Sequence, residues 1–231
     1  MAEFSFIEIL LTVVLLVFIY KYFENSSYGV VWVKSATNGR EYKVRDLPDK
    51  QAAANLLGTI ANKLQKVVDI LSNGSGNLPE IFEKYVRPDI KNLGNDDENS
   101  KYRVKTLTEK LGRDISRLKN NFNPETFNET TPDSAHTSYS VNKGEKIFFC
   151  LRDKGEQEKL VKENTMMFVS LHELAHLMTE SIGHEPEFWD NFKIILRVAI
   201  SNGLYKHIDF NSSPEEYCGT TITDTPLKLN E

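Results

Sequence analysis

Residues 172–176 read His-Glu-Leu-Ala-His, and after Gly183 the chain continues His184-Glu185-Pro186-Glu187-Phe188-Trp189. On a helix, His172 and His176 stand one turn apart on the same face and can grip one Zn²⁺, with Glu173 beside them as general base. Around the pentapeptide, Met166, Met167, Val169, Leu171, Leu174, Ala175 and Met178 fit a largely buried helix over residues 165–181. Asn164 is its candidate N-cap and Gly183 its stop. Chance would produce such a pentapeptide in on the order of one chain per hundred of this composition, so the surroundings matter as much as the motif. Two imidazoles buried on an apolar helix without a shared partner would leave ring nitrogens unsatisfied.

A catalytic zinc takes three protein ligands and keeps a fourth position for water. Gly183 lets the chain turn back, so His184 is the third candidate ligand, with Glu180, Glu185 and Glu187 as rivals from the same stretch. Metzincin spacing would put a glycine and the third histidine where Thr179 and Ile182 stand, which disfavours that class.

HELAH followed by HEPEFW resembles the compact zinc metallopeptidases of the WLM, YgjP-like and SprT-like group. The stretch from Thr137 to Cys218, with SYSVNKGEKIFFCLRD, HELAH and PEEYCG, is also similar to metallopeptidase-like proteins of large nucleocytoplasmic DNA viruses. The likeness covers roughly the C-terminal third and weakens back to Asp46. YgjP-like and WLM proteins leave a shorter gap between the second and third histidines than the residues Leu177 to Gly183 found here. The fold this implies is α+β: a compact zincin-like domain, with a small antiparallel sheet packed on the HExxH helix, preceded by helices and an N-terminal transmembrane helix.

That anchor is read from the sequence itself. Residues 4–20 are apolar apart from Ser5, Glu8 and Thr12, and as a helix they span roughly 26 Å against a bilayer core of about 30 Å. A cleavable leader would want a basic start and small residues at its end, whereas Glu3 opens the segment and Tyr20–Phe23 close it. Lys21, Lys34, Arg40, Lys43 and Arg45 follow the anchor and none precedes it, so the positive-inside rule predicts a single-pass protein, membrane-bound through residues 4–23, whose catalytic domain faces the cytosol at a host or virion membrane.

The chain has 231 residues, 40% hydrophobic and 26% charged, with net charge −5, values of a globular domain without global attraction to nucleic acid. The organisation predicted is an anchor over 1–24, a hairpin plus helical prelude over 25–100, and a metallopeptidase domain over 101–231. Residues 28–35 and 41–44 flank a Thr37-Asn38-Gly39 turn signal. Residues 49–72 carry Leu56, Leu57, Ile60, Leu64, Val67, Val68 and Leu71 at helical spacing. Residues 73–77 and 92–100 read as loops. Residues 101–119 hold seven bases against two acids, yet Leu107, Leu111, Ile115 and Leu118 make the segment a helix with a solvated basic face. Nucleic acid is not the expected partner; a protein or peptide substrate is. A second hairpin, 137–141 with 146–151, precedes the metal helix, and its 146–151 strand or the neighbouring one is the candidate to pair with an extended substrate.

The chemistry expected is Zn²⁺ held by His172, His176 and His184, with Glu173 deprotonating water for peptide hydrolysis. Tyr205, His207 and Tyr217 are weaker candidates to stabilise the oxyanion, Asp190 to orient an imidazole, and Phe188 and Trp189 to anchor the last helix, 186–202. The alternative is a membrane-anchored scaffold or virion protein in which zinc only staples the fold. A closed site would need a fourth ligand, for which Cys218 is available; the two cysteines otherwise fit a reducing compartment.

Overall fold

Alternation decides the first strands: in Glu41–Arg45 (β2), Tyr42 and Val44 turn inward while Glu41 faces water. In the computed structural model, which describes residues 6–26, 29–90, 98–154 and 158–227, β2 pairs antiparallel with Val30–Lys34 (β1). Phe127–Glu129 (β3), Tyr139–Val141 (β4) and Lys146–Phe149 (β5) complete a sheet of order β1-β2-β3-β5-β4. β2 with β3 and β3 with β5 are parallel, and β4 with β5 is antiparallel. The sheet is therefore mixed, not antiparallel as expected, because β3 enters between two hairpins after a long helical crossover. It also makes β5 an interior strand, and β4 takes the edge.

The crossover consists of Lys50–Gly74 (α2), Leu78–Tyr85 (α3) and Glu98–Asn121 (α4). The predicted stripe of α2 is its buried face, with Leu57, Ile60, Leu64, Val67, Val68 and Leu71 all inside; burying each such side chain stabilises by about 1.5–3 kcal/mol before entropy is counted. Residues 73–77 do not form an open loop, since α2 runs to Gly74 and one 3₁₀ turn leads into Pro79 at the start of α3. Most of the acidic break, residues 92–97, lies outside the described residues.

Glu163–Met178 (α5) packs against α2, α4 and Pro186–Ser201 (α6). Phe127 and Phe149 meet edge to face at 5.1 Å on the sheet side of the core. Beyond α6, Glu215–Tyr217 (β6) and Thr220–Ile222 (β7) form a separate hairpin, and Cys218 at its turn is disulfide-bonded to Cys150 at the end of β5. The cysteines are thus paired, and Cys218 offers no thiolate to a metal.

Residues Phe6–Ser26 form a helix (α1) where the apolar run predicts one. Among the described residues, however, no helix is long and apolar enough to cross a membrane. Between the charges of Glu8 and Lys21 the helix has an uncharged run of only residues 9–20, about 18 Å of helix against about 30 Å of hydrocarbon. The transmembrane helix over 4–23, the single-pass membrane localisation and the cytosolic orientation built on it do not stand. Residues 4 and 5 and the side chains of Tyr20–Phe23 lie outside the described residues.

Candidate metal centre

The site is built on α5. Its first turn is entered from Lys162, not from Asn164. Asn164 lies inside that turn, where its side chain donates to the Lys206 carbonyl at 2.8 Å and accepts from the Lys206 amide at 2.9 Å. The helix stops at Met178, five residues before the expected glycine, because Thr179 turns extended and its hydroxyl caps the Ala175 carbonyl at 2.8 Å. Asn191 of α6 donates to that same hydroxyl at 3.1 Å. Gly183 has φ of 83° in the loop beyond, a conformation that favours glycine and turns the chain back toward the helix.

That turn brings His184 to His172 and His176. One ring nitrogen from each histidine lies within 4.8 Å of the others, and the His172 Nε2 is 3.2 Å from that of His176 and 3.1 Å from that of His184. The three donors are close enough together to share a single metal ion. Burial, with the neighbouring imidazoles, depresses His172 to about 3; burial likewise depresses His176 to about 4, helped by His184 and the Lys143 ammonium. Both rings are therefore neutral at pH 7, the state a metal requires.

Phe188, fully buried at the start of α6, touches all three imidazoles, with ring centroids 4.8 Å from His172, 4.3 Å from His176 and 4.6 Å from His184. It is a platform beneath the three rings as well as an anchor. Trp189 is instead 40% exposed and lies beside His184 at 5.6 Å; its place at the rim corrects its reading as a core anchor.

Glu173 is only 5% exposed, and burial lifts its carboxyl to about 7. Two of the three rival carboxylates are turned to other work. Glu180 pairs with Arg117 at 2.8 Å, and Glu187 accepts from the Ser181 amide at 3.2 Å and lies 3.5 Å from Lys110. Asp190 feels the charges of Lys193, Lys110 and Asp89, and burial raises its carboxyl.

The contacts of the weaker oxyanion candidates are with groups other than the three imidazoles. The Tyr217 hydroxyl donates to the Cys150 carbonyl at 2.9 Å and shares a 2.7 Å bond with Ser138; burial raises it, and the Glu173 charge adds to the rise. Tyr205 packs on Phe168, with its hydroxyl pushed up to about 12 by burial. His207 meets the Leu227 carbonyl at 3.2 Å.

The end of α5 is pinned from three sides, which the sequence did not announce. Asp114, buried in α4, holds Lys110 at 2.6 Å and Arg117 at 2.7 Å, and Arg117 in turn donates to the Met178 carbonyl at 2.9 Å. Asn121 donates to the Leu177 carbonyl at 3.2 Å. Lys143 reaches over from the β4–β5 turn. For the α4 residues the sequence signal was placement one or two turns apart on a basic helix face, which does not reveal a target.

A model of the WLM domain matches residues 86–225. The chain belongs to the WLM domain family. WLM proteins are a zincin-like metallopeptidase group, and the matched range takes in α4, all three histidines and Glu173 while leaving β1, β2 and α2 outside it. Along its whole length the chain is similar to an uncharacterized protein of Acanthamoeba polyphaga mimivirus, 29% identical over 99% of this chain and 100% of the relative. Shorter likenesses reach uncharacterized proteins of Invertebrate iridescent virus 6, 39% identical over 29% of this chain and 38% of the relative, and Invertebrate iridescent virus 3, 41% identical over 29% and 42%. No solved structure matches.

Proposed function

We propose that this chain is a metal-dependent peptide hydrolase in which His172, His176 and His184 hold Zn²⁺ and Glu173 is the general base. The observation that carries the reading is the convergence of three ring nitrogens within 4.8 Å on a helix that also carries the buried Glu173, next to His172 in the sequence. The donors fit zinc: three neutral imidazoles leave one coordination position open, as catalytic zinc sites do. A bound zinc would act as Lewis acid and lower the pKa of its water toward neutrality.

The remaining chemistry belongs to the chain. Glu173, with a proton affinity centred near neutrality, is suited to take a proton from the attacking water and return it to the leaving amide nitrogen. Phe188 restrains the three rings that must face one point. β4 is the end strand of the sheet among the described residues, and an extended protein or peptide substrate would add there as a further strand. The alternative of a closed, purely structural zinc loses its available fourth ligand, since Cys218 is in the disulfide.

The test is bound metal and cleavage of a broad peptide library by the full chain, beside Glu173→Gln and His176→Ala. Expected are one zinc per wild-type chain with cleavage, loss of zinc in His176→Ala, and retained zinc with about 10²–10⁴-fold slower cleavage in Glu173→Gln. A zinc-loaded wild type that cuts nothing sinks the hydrolase reading.

A further inference from the structure

The β4–β5 turn is unusual for the residue it places in left-handed backbone. Asn142, Lys143 and Gly144 have φ of 46°, 55° and 110°; asparagine and glycine tolerate this region, whereas a lysine there is uncommon and points to a requirement for its side chain. The turn is pressed against the metal helix. A Cβ on Gly144 would fall 2.3 Å from the Asn121 carbonyl oxygen and 3.1 Å from Leu177 Cδ2, so only glycine lets it dock between the end of α4 and the last turn of α5.

From that seat the Lys143 ammonium donates to the Thr179 carbonyl at 2.9 Å and the Ser181 carbonyl at 2.8 Å. Both carbonyls belong to the segment that leaves α5 at Met178 and carries His184. Charged donors make the stronger hydrogen bonds, and here one cation ties two points of a single loop. Opposite it, Glu187 takes the Ser181 amide at 3.2 Å, so Ser181 is held through both its N–H and its C=O.

We propose that Lys143 is a positioning residue for the third metal ligand: through the Thr179 and Ser181 carbonyls it fixes the loop that delivers His184 to His172. The inference rests on the metal reading above. His172 and His176 are placed by one turn of helix, but His184 is exposed, on a loop with left-handed Gly183 just before it, and its geometry depends on whatever restrains that loop. Groups that orient ligands from outside the coordination sphere are worth about 10–100-fold in metal affinity.

The experiment measures Co²⁺ affinity of the full chain by competition with a chromophoric chelator, together with the visible absorption of the Co²⁺ form. Lys143→Met is compared with wild type, with Lys143→Arg, with His184→Ala, and with Lys119→Met as a control for loss of one exposed charge on α4. Expected for Lys143→Met is about 10–100-fold weaker binding, an absorption spectrum displaced toward that of His184→Ala, and a metal-free unfolding midpoint close to wild type. Lys143→Arg restores part of the affinity and Lys119→Met matches wild type. Should Lys143→Met not fold, Lys143→Gln, which keeps an NH₂ donor group but loses the charge, reads the same quantity. A wild type that binds Co²⁺ with Lys143→Met equal to it in affinity and spectrum overturns this inference alone; a wild type that binds none overturns the metal reading and the inference with it.

Discussion

Replacing Phe188 by leucine separates a platform from mere filling. The ring is fully buried and meets the imidazoles at 4.3–4.8 Å as well as Phe192 at 5.7 Å. Truncation to alanine would empty the space and cost about 3–5 kcal/mol, confusing any reading of the site. Leucine keeps most of the apolar volume, so the metal-free protein should lose only about 1–2 kcal/mol. The three imidazoles, however, lose the flat surface that limits their rotation, and affinity for zinc should fall about 10–100-fold. Each factor of ten removes about 1.4 kcal/mol from the stabilisation that a saturating ligand confers. Urea unfolding with and without excess Zn²⁺ therefore reads the effect directly: the metal-dependent gain in stability should shrink by about 1.4–2.8 kcal/mol in Phe188→Leu. A gain equal to wild type, with only the metal-free baseline lowered, refutes the platform.

Further outcomes concern the frame around the site. Arg152, 4% exposed in its side chain, grips Glu129, 1% exposed, at 2.8 Å and Asp49 at 2.6 Å. Arg152→Met leaves a buried carboxylate uncompensated and should destabilise by about 3–5 kcal/mol in urea melts, and adding Glu129→Gln should recover much of it; no recovery would place the loss in packing. Asp49 and Glu158 are held below the ordinary carboxylate range, chiefly by hydrogen bonds from Arg152 and Arg45. Their contribution is thus present above the unfolded values near about 4 and lost as pH falls through the depressed ones, while Glu129, raised by burial, acts in the opposite sense. Glu158→Gln should flatten the acid limb of a stability–pH curve, and an unchanged limb would contradict the pairing. Reduction of Cys150–Cys218, which spans a separation of 68 residues, should lower stability by up to about 4 kcal/mol; thiols that alkylate fully before reduction would show that the bond does not form.

What the sequence disclosed was what depends on local period. HELAH placed two histidines on one helical face, the Leu57-to-Leu71 stripe announced α2, and Thr37-Asn38-Gly39 announced the first hairpin. Distant pairings left no such mark. Nothing near Lys43 signals that it registers with Asn128, so the parallel joints of the sheet were invisible. Nothing near Cys150 selects a partner in the β6–β7 turn. Asn164 looked like a cap by type, but its side chain is taken by the Lys206 backbone. Lys143 looked like any turn lysine, because its targets are carbonyls, and a carbonyl has no letter in the sequence. The apolar N-terminal run spoke for helix, correctly, and for a membrane span, which the described helix does not support.

The parallel seam between β2 and β3 bears on how the molecule comes into being. The first hairpin and α2 leave the ribosome well before the strand that must join them, and closing so long a loop carries an entropic penalty ahead of any reward. Until then the inward faces of α2 lack the partners that later cover them, a condition that invites self-association in the nascent chain. The imidazoles come later still, so an ion held by them would be a late arrival in assembly, and a shortage of it would be felt after the frame has already set.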